Sequence, residues 1–229
     1  MSIKTLLSFL VWRSALAWQD YVGDHGRRMR TKSPSKRREI VDVASTVFME
    51  LGFDQASMSE IASRVGGSKA TLYNYFSSKE ELFAECIRAN AAKHFEPIFA
   101  HLPLDDDLPE MLERFGNEYV QTIIRPEIMQ VRRLVQSSAG NSQVGLIYYE
   151  NGPKIGWSRM AEVLRNAMDN GVLEPSDPWV AALHLKALLE AEFHEQAMLA
   201  LEPAIDPSLI GPAVQRAVAF FLKGYRPQT

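Results

Sequence analysis

The chain has 229 residues, a formal net charge of −3 and 46% hydrophobic residues, which suits one large domain or a small domain joined to a larger one. Its single cysteine, Cys86, excludes an internal disulfide and points to an intracellular, cytoplasmic protein. No apolar run reaches the roughly 18 residues that a membrane-spanning helix needs.

The small net charge hides an asymmetry. Arg27 to Lys79 carries ten Lys/Arg against five Asp/Glu, whereas Glu80 to the end carries thirteen against twenty-one. A basic front on an acidic body suggests that only the front meets a polyanion, although a solvated charged face would look the same. Residues 5 to 17, TLLSFLVWRSALA, resemble a weak signal peptide, but Arg13 interrupts the apolar stretch. A loosely attached N-terminal extension is the better reading, and MRTKSPSKRRE, from Met29, reads like a natural basic start.

Nearly everything after the extension has helical period. Ser33-Pro34 gives a capped start with proline in the first turn, where its missing N–H costs nothing. Ile40, Ala44, Val47, Phe48 and Leu51 share one face, and Gly52 is placed as a stop, so the first helix spans about 34–51. Phe53 is expected to pack back over its last turn. Ser57-Met58-Ser59-Glu60 is a capping-box pattern that opens a second helix, 58–65, which Gly66-Gly67 ends. Ser68 caps a third, 69–75. Ser78-Lys79-Glu80-Glu81 opens a long fourth helix at 79, and Pro97 ends or kinks it near 96.

Further helices are expected over 108–124, 127–138, 142–150, 153–170, 177–201 and 207–222, several of them starting beside a proline. Gly171 and Gly224 serve as C-terminal stops. No run alternates with period two between turn signals, so the class is all-α.

Helices 58–65 and 69–75, with the glycine turn between them, form a helix-turn-helix. Leu72 and Phe76 face inward, toward Ile61, Ala62 and Val65. The opposite arc carries Ala70, Thr71, Tyr73 and Asn74, with Lys69 at its edge. That set suits a major groove. Asn74 can pair with an adenine edge, Thr71 can offer a methyl to thymine, and Ala70 permits close approach. Ser57, Ser68, Lys69, Tyr73, Tyr75 and Lys79 can hold phosphates without reading sequence. The basic arm at Arg27, Arg28, Arg30, Lys32, Lys36, Arg37 and Arg38 can track the backbone or enter a minor groove.

The stretch IVDVASTVFMELGFDQASMSEIASRVGGSKATLYNYFSSKEELF closely resembles the DNA-binding domain of TetR/AcrR-type transcriptional regulators. Two positions depart from the pattern: Gly67, where the family more often has valine, and Ala70, where glycine is common. RLVQSSAGNSQVGLIYYENGP and WSRMAEVLRNAMDNGVLEPSDPWVAA resemble, more weakly, the AefR-like subgroup. The resemblance implies an extension and arm over 1–33, a three-helix DNA-binding head over 34–83, and a helical effector-binding and dimerisation body over 84–229. It also implies a ligand-responsive regulator, more often a repressor than an activator. Such a regulator acts on a double-stranded operator as a homodimer, joined through helices 177–201 and 207–222.

The body supplies candidates for an apolar effector pocket in Phe95, Phe99, Met111, Phe115, Tyr119, Met129, Tyr148, Tyr149, Trp157 and Met160, because aromatic and Met side chains make adaptable walls. Dense core is the competing reading for each. Glu190 and His194 stand at i and i+4, with His184 and Glu195 near; an intrahelical or dimer-face contact accounts for them better than a metal. No metal or cofactor is therefore expected. Cys86 reads as a small buried apolar residue. No Walker loop, dinucleotide glycine fingerprint, HExxH or nucleophile elbow occurs, so the chain does not read as an enzyme. An all-α carrier or enzyme using a body cavity, and a DNA binder without effector, stand as the alternatives.

Overall fold

A computed structural model describes residues 33–100, 102, 107–138, 140 and 142–227. The apolar run at 5–17, Met29 and the arm residues Arg27, Arg28, Arg30 and Lys32 lie outside the described residues. Those described form an all-α protein. Its helices are α1 (Pro34–Gln55), α2 (Met58–Arg64), α3 (Lys69–Tyr75), α4 (Lys79–His94), α5 (Glu96–Ala100), α6 (Leu108–Ile123), α7 (Pro126–Ser137), α8 (Ser142–Asn151), α9 (Pro153–Asp169), α10 (Pro178–Glu190), α11 (His194–Leu199) and α12 (Ile210–Tyr225), with a 3-10 turn at Pro207–Leu209. None of these helices is long and apolar enough to cross a membrane.

Local signals account for most helix ends. Asp107, Asp177 and Ser78 each accept a backbone N–H from the first turn that follows them. α9 ends in a paired motif in which Val172 N–H reaches Ala167 O (2.9 Å), Gly171 N–H reaches Met168 O (3.0 Å), and Gly171 takes φ 71°. α4 ends at His94, three residues before Pro97.

Three expected boundaries are corrected. The first helix does not stop at 51. Gly52 breaks it with φ 78° and ψ 165°, and a further turn runs to Gln55. That kink turns Phe53 inward, stacked 5.8 Å from Phe48 and edge-on to Phe83 at 5.1 Å. The helix expected over 177–201 is interrupted after Glu190, where Phe193 enters the core, and resumes as α11. Arg133 of α7 donates to Ala197 O (3.0 Å) and Met198 O (3.3 Å) at the end of α11, a long-range hold that local periodicity cannot carry. The last helix begins at Ile210 and runs through Gly224 to Tyr225. There Tyr225 stacks on Phe221 (4.7 Å), and its hydroxyl lies 2.7 Å from His184 Nδ1.

Buried apolar residues fall into two clusters. One joins α1, α2, α3 and the first half of α4, through Cys86 and Ile87, with Val144 of α8. The other fills the body from Ile98 to Leu222. The packing of the head therefore reaches past residue 83 and takes a residue from α8.

Candidate nucleic-acid interface

The turn between α2 and α3 is set by its glycines. Gly67 N–H reaches Ala62 O (3.0 Å), Gly66 N–H reaches Ser63 O (3.1 Å), and Gly66 has φ 71°, a conformation that only glycine adopts readily. Gly67 is different. A Cβ there would meet nothing nearer than Thr71 Cβ at 4.0 Å, so a side chain fits and the turn does not depend on that glycine. Ser57 caps α2, accepting Glu60 N–H at 3.1 Å. Ser68 caps α3, accepting Thr71 N–H at 3.0 Å with Thr71 Oγ1 2.9 Å away.

Leu72 and Phe76 are buried in the head core, and this orients the rest of α3. Lys69, Ala70, Tyr73 and Asn74 are exposed on the outer arc, as are Ser57, Ser68 and Arg38 nearby. Thr71 is half-buried, and Tyr75 is half-buried against the head core. Lys69 Nζ lies 5.9 Å from the centre of the Tyr73 ring. The arc thus offers an amide, a phenol and an ammonium on a rigid, capped helix. Such a helix can enter a major groove, with Asn74 and Ala70 toward base edges and Lys69 and Tyr73 toward phosphates.

Three of the cations expected at the DNA backbone have other partners. Lys36 Nζ donates to Glu39 (2.9 Å) and to Val65 O (3.3 Å). Lys79 Nζ donates to Phe53 O (2.7 Å), Ala56 O (3.0 Å) and Asp54 O (3.4 Å), and sits 4.3 Å from the Phe53 ring centre. Its charge closes the last turn of α1. Arg37 pairs with Glu85 of α4 and lies over the Phe76 ring at 4.8 Å.

Glu85 in turn accepts Arg88 Nε (3.0 Å) and Nη2 (2.6 Å), and Arg88 Nη1 donates to Asn151 of α8 at 2.6 Å. Burial works to raise the Glu85 carboxyl, but the hydrogen bonds from Arg37 and Arg88 outweigh it and hold the group below the usual carboxylate range. A polar chain therefore runs from α1 through α4 to α8.

In the body, Phe99, Phe115, Tyr119 and Trp157 form one aromatic cluster with ring centres 5.1–6.3 Å apart. Met111, Met129 and Met160 are buried in the same core, and Phe95 packs at its edge, 6.3 Å from Tyr119. Eight of the ten pocket candidates are thus brought together, as packed side chains. Tyr148 packs against the head cluster instead, and Tyr149 is 41% exposed. An open cleft of about 280 Å³ lies elsewhere, between α11, the segment after it and α12, lined by Phe193, Ile205, Leu209 and Arg216 among others.

The sequence drew attention to Glu190 through His194 but missed its main partners. Arg132 of α7 gives Glu190 two bonds, Nη2 to Oε1 (3.0 Å) and Nη1 to Oε2 (3.1 Å). Lys186 adds a third at 2.9 Å, and the Tyr119 hydroxyl donates as well. His194 Nδ1 is 3.5 Å from the carboxylate. Burial works to raise Glu190, yet the hydrogen bond and charge of Arg132, with Lys186, hold it at about 2. Nothing in the spacing along the chain marks Arg132. Among the described residues, no group of three His, Cys, Asp or Glu side chains could hold a metal ion. Cys86 is buried beside Val41 O, and burial pushes its thiol up to about 12.

Known proteins carry the same two parts. Residues 40–86 match the profile of bacterial regulatory proteins of the tetR family, and residues 110–227 match that of the AefR-like transcriptional repressor, C-terminal domain. The HTH-type transcriptional activator FasR of Mycolicibacterium smegmatis is 43% identical over 61 residues, 27% of this chain and 28% of that protein. The first two curated relatives are each matched over less than a third of their own length. Among solved structures, the flavonoid-responsive regulator FrrA is 32% identical with a TM-score of 0.74, covering 86% of this chain and 100% of that one. A TetR family transcriptional regulator from Pseudomonas syringae pv. tomato is 26% identical with a TM-score of 0.68, again over 86% and 100%. These relatives are regulators and not enzymes. With a profile that spans more than half of its length and a capped helix-turn-helix in front of it, the chain belongs to the TetR family of transcriptional regulators.

Proposed function

We propose that the protein is a cytoplasmic, homodimeric, ligand-responsive repressor, which binds a near-palindromic operator and leaves it when the body takes up a small effector. The observation that carries this reading is the exposed arc of α3, Lys69, Ala70, Tyr73 and Asn74, held outward by buried Leu72 and Phe76. Residues 34–83 act as the DNA-binding head, 84–229 as the effector and dimerisation body, and 1–33 as a basic arm. Two α3 helices related by a twofold axis would occupy successive major grooves. Lys69, Tyr73, Ser57, Ser68, Tyr75 and Arg38 would contact phosphates, with Asn74, Ala70 and Thr71 toward bases. Lys79 and Arg37 would serve chiefly by fixing α1, α3 and α4 against one another.

The repressor sense draws on the AefR-like repressor profile. Effector response draws on FrrA, a flavonoid-responsive regulator. The walls of the effector space would come from the aromatic and Met cluster around Phe115, Tyr119 and Trp157. A twofold partner on α10 and α12 is supported by exposed Val180, Leu183 and Phe220, the last 68% exposed.

Mobility shifts with genomic fragments upstream of the gene, repeated across a salt series, test the reading. Log affinity should fall with log salt at about −0.9 per phosphate contact. Asn74→Ala should change preference at one base pair, whereas Tyr73→Phe should weaken all sequences alike. No affinity for any duplex at low salt would refute it. A second reading, a DNA binder without effector, is favoured by the tight packing of the aromatic cluster. An operator complex that no compound in a broad metabolite panel releases would decide for it.

A further inference from the structure

The outer side of α12 carries a knob at one end and a hole at the other. The knob is Phe220, the most exposed large apolar side chain among the described residues. One helical turn before it stands Arg216, and two turns before that stands Leu209, 54% exposed at the end of the 3-10 turn, so the three share one stripe. Leu209 and Arg216 also line the open cleft of about 280 Å³, whose apolar walls are Phe193, Pro203, Ala204 and Ile205. Its shape is fixed from within. Gln196 Nε2 donates to Pro203 O (2.8 Å), and Leu201 N–H reaches Gln196 O (3.0 Å). Arg216 gives Glu192 two bonds, Nε to Oε1 (3.0 Å) and Nη2 to Oε2 (2.6 Å). A void of about 150 Å³ takes a benzene ring, so this cleft has room for a phenyl side chain. Phe220 cannot fill the cleft of its own chain, because Leu209 lies about 16 Å back along the same rigid helix.

Charge is divided in the same way. Exposed Lys223 and Arg226 stand at the ring end, and exposed Glu202 and Asp206 at the cleft end. An antiparallel pair of such helices sets each end against its opposite, whereas a parallel pair would set Lys223 against Lys223. We infer that the cleft is a socket for Phe220 of a second copy of this chain, so that a twofold pair of α12 helices is locked by two identical insertions. The inference rests on the homodimeric reading above and fixes the register of its contact. With the partner's Phe220 over Leu209, the axis crosses α12 beside Gln215, and the partner's Lys223 falls level with Asp206. α10 widens the same face. Glu192 meets Arg216 and His184 meets Tyr225, so α10 runs opposite to α12 and places exposed Leu183 and Ala187 beside Phe220. A ring desolvated in a preformed pocket, with apolar neighbours that exclude water, is the kind of contact that dominates interface energies.

The test uses the full chain. Its one native thiol, Cys86, is buried, so introduced cysteines report alone. A double variant, Leu209→Cys with Phe220→Cys, is oxidised at a concentration where the parent sediments as a dimer. It should run as a covalent dimer on a non-reducing gel, because each thiol meets its opposite across the axis within disulfide reach. Neither single variant should cross-link to more than a tenth of that extent, since like positions lie about 16 Å apart. No covalent dimer from the double variant, or cross-linking by Phe220→Cys alone, would overturn the inference. Ala204→Trp fills the cleft from an exposed loop position and should weaken dimerisation at least tenfold; a dimer of parental strength would overturn the inference as well. Should the double variant misfold, Ala204→Trp carries the decision. A parent that is monomeric throughout would defeat the homodimeric reading and the socket together. A dimeric parent whose cysteines fail to join would leave the dimer standing and remove the socket alone.

Discussion

The ammonium of Lys79, the first residue of α4, lies 2.7 Å from the carbonyl oxygen of Phe53 and 3.0 Å from that of Ala56, so the start of one helix closes the end of another. The carbonyls of a last helical turn have no partners within their helix, and a buried acceptor left unpaired is destabilising. Lys79→Met should therefore lower the unfolding free energy by about 1–3 kcal/mol in urea titrations. The slope of log operator affinity against log salt should stay unchanged. A slope shallower by about 0.9 would instead assign Lys79 to a phosphate.

Glu190 makes stability depend on pH. Its folded-state pKa of about 2 lies below its ordinary 4.5. The stabilisation it supplies is therefore complete above pH 4.5 and drains away as the pH falls toward 2. Glu190→Gln should unfold more easily than the parent by about 3 kcal/mol at pH 7, since it leaves Arg132 buried without its counter-charge. Urea midpoints measured at a series of pH values should show the gap closing between pH 4.5 and 2, and a constant gap would contradict the pairing.

Two glycine substitutions should have opposite signs. On α9, a Cβ at Gly156 would lie 2.6 Å from Cε2 of Phe99, a buried ring already wedged against Phe115 and Trp157. Gly156→Ala should cost about 1–3 kcal/mol through overpacking. On α8, a Cβ at Gly145 meets nothing within 4 Å. Gly145→Ala should raise stability by about 0.5–1 kcal/mol through helix propensity alone. Thermal denaturation of both variants checks the contrast.

If α10 and α12 form the twofold contact, a charge on its exposed apolar face should break the dimer before the fold. Phe220→Asp and Leu183→Glu should sediment as monomers at concentrations where the parent is dimeric, with helical circular dichroism retained. Both should also lose operator affinity, because two half-sites would no longer be bound together. A parent that is itself monomeric would dispose of the twofold arrangement.

Much of the head was legible along the chain. Ser57, Ser68 and Ser78 are caps because a short hydroxyl side chain accepts an N–H two or three residues on, an interaction wholly within one turn. The inward pair Leu72 and Phe76, one helical turn apart, orients α3 and thereby exposes Ala70, Tyr73 and Asn74. Gly171 ends α9 because a positive φ is a property of the residue itself. Periodicity and capping are local, so the chain alone determined an all-α protein with a capped helix-turn-helix near its front.

Tertiary structure decided the rest. Lys79 and Arg37 read as two free cations in a basic segment, and which carbonyl or carboxylate each meets depends on α1 and α4 lying side by side, 26 and 48 residues apart in sequence. The 177–201 helix breaks and α12 outruns Gly224 because Arg133 and His184 hold the ends from other helices. Arg132 meets Glu190 across 58 residues, and the cleft that Phe193 and Arg216 line exists only between packed helices. A hydrogen bond within a turn is written in the spacing of residues. A contact between distant helices is written only in how they pack, and the core from Ile98 to Leu222 is built from contacts of that second kind.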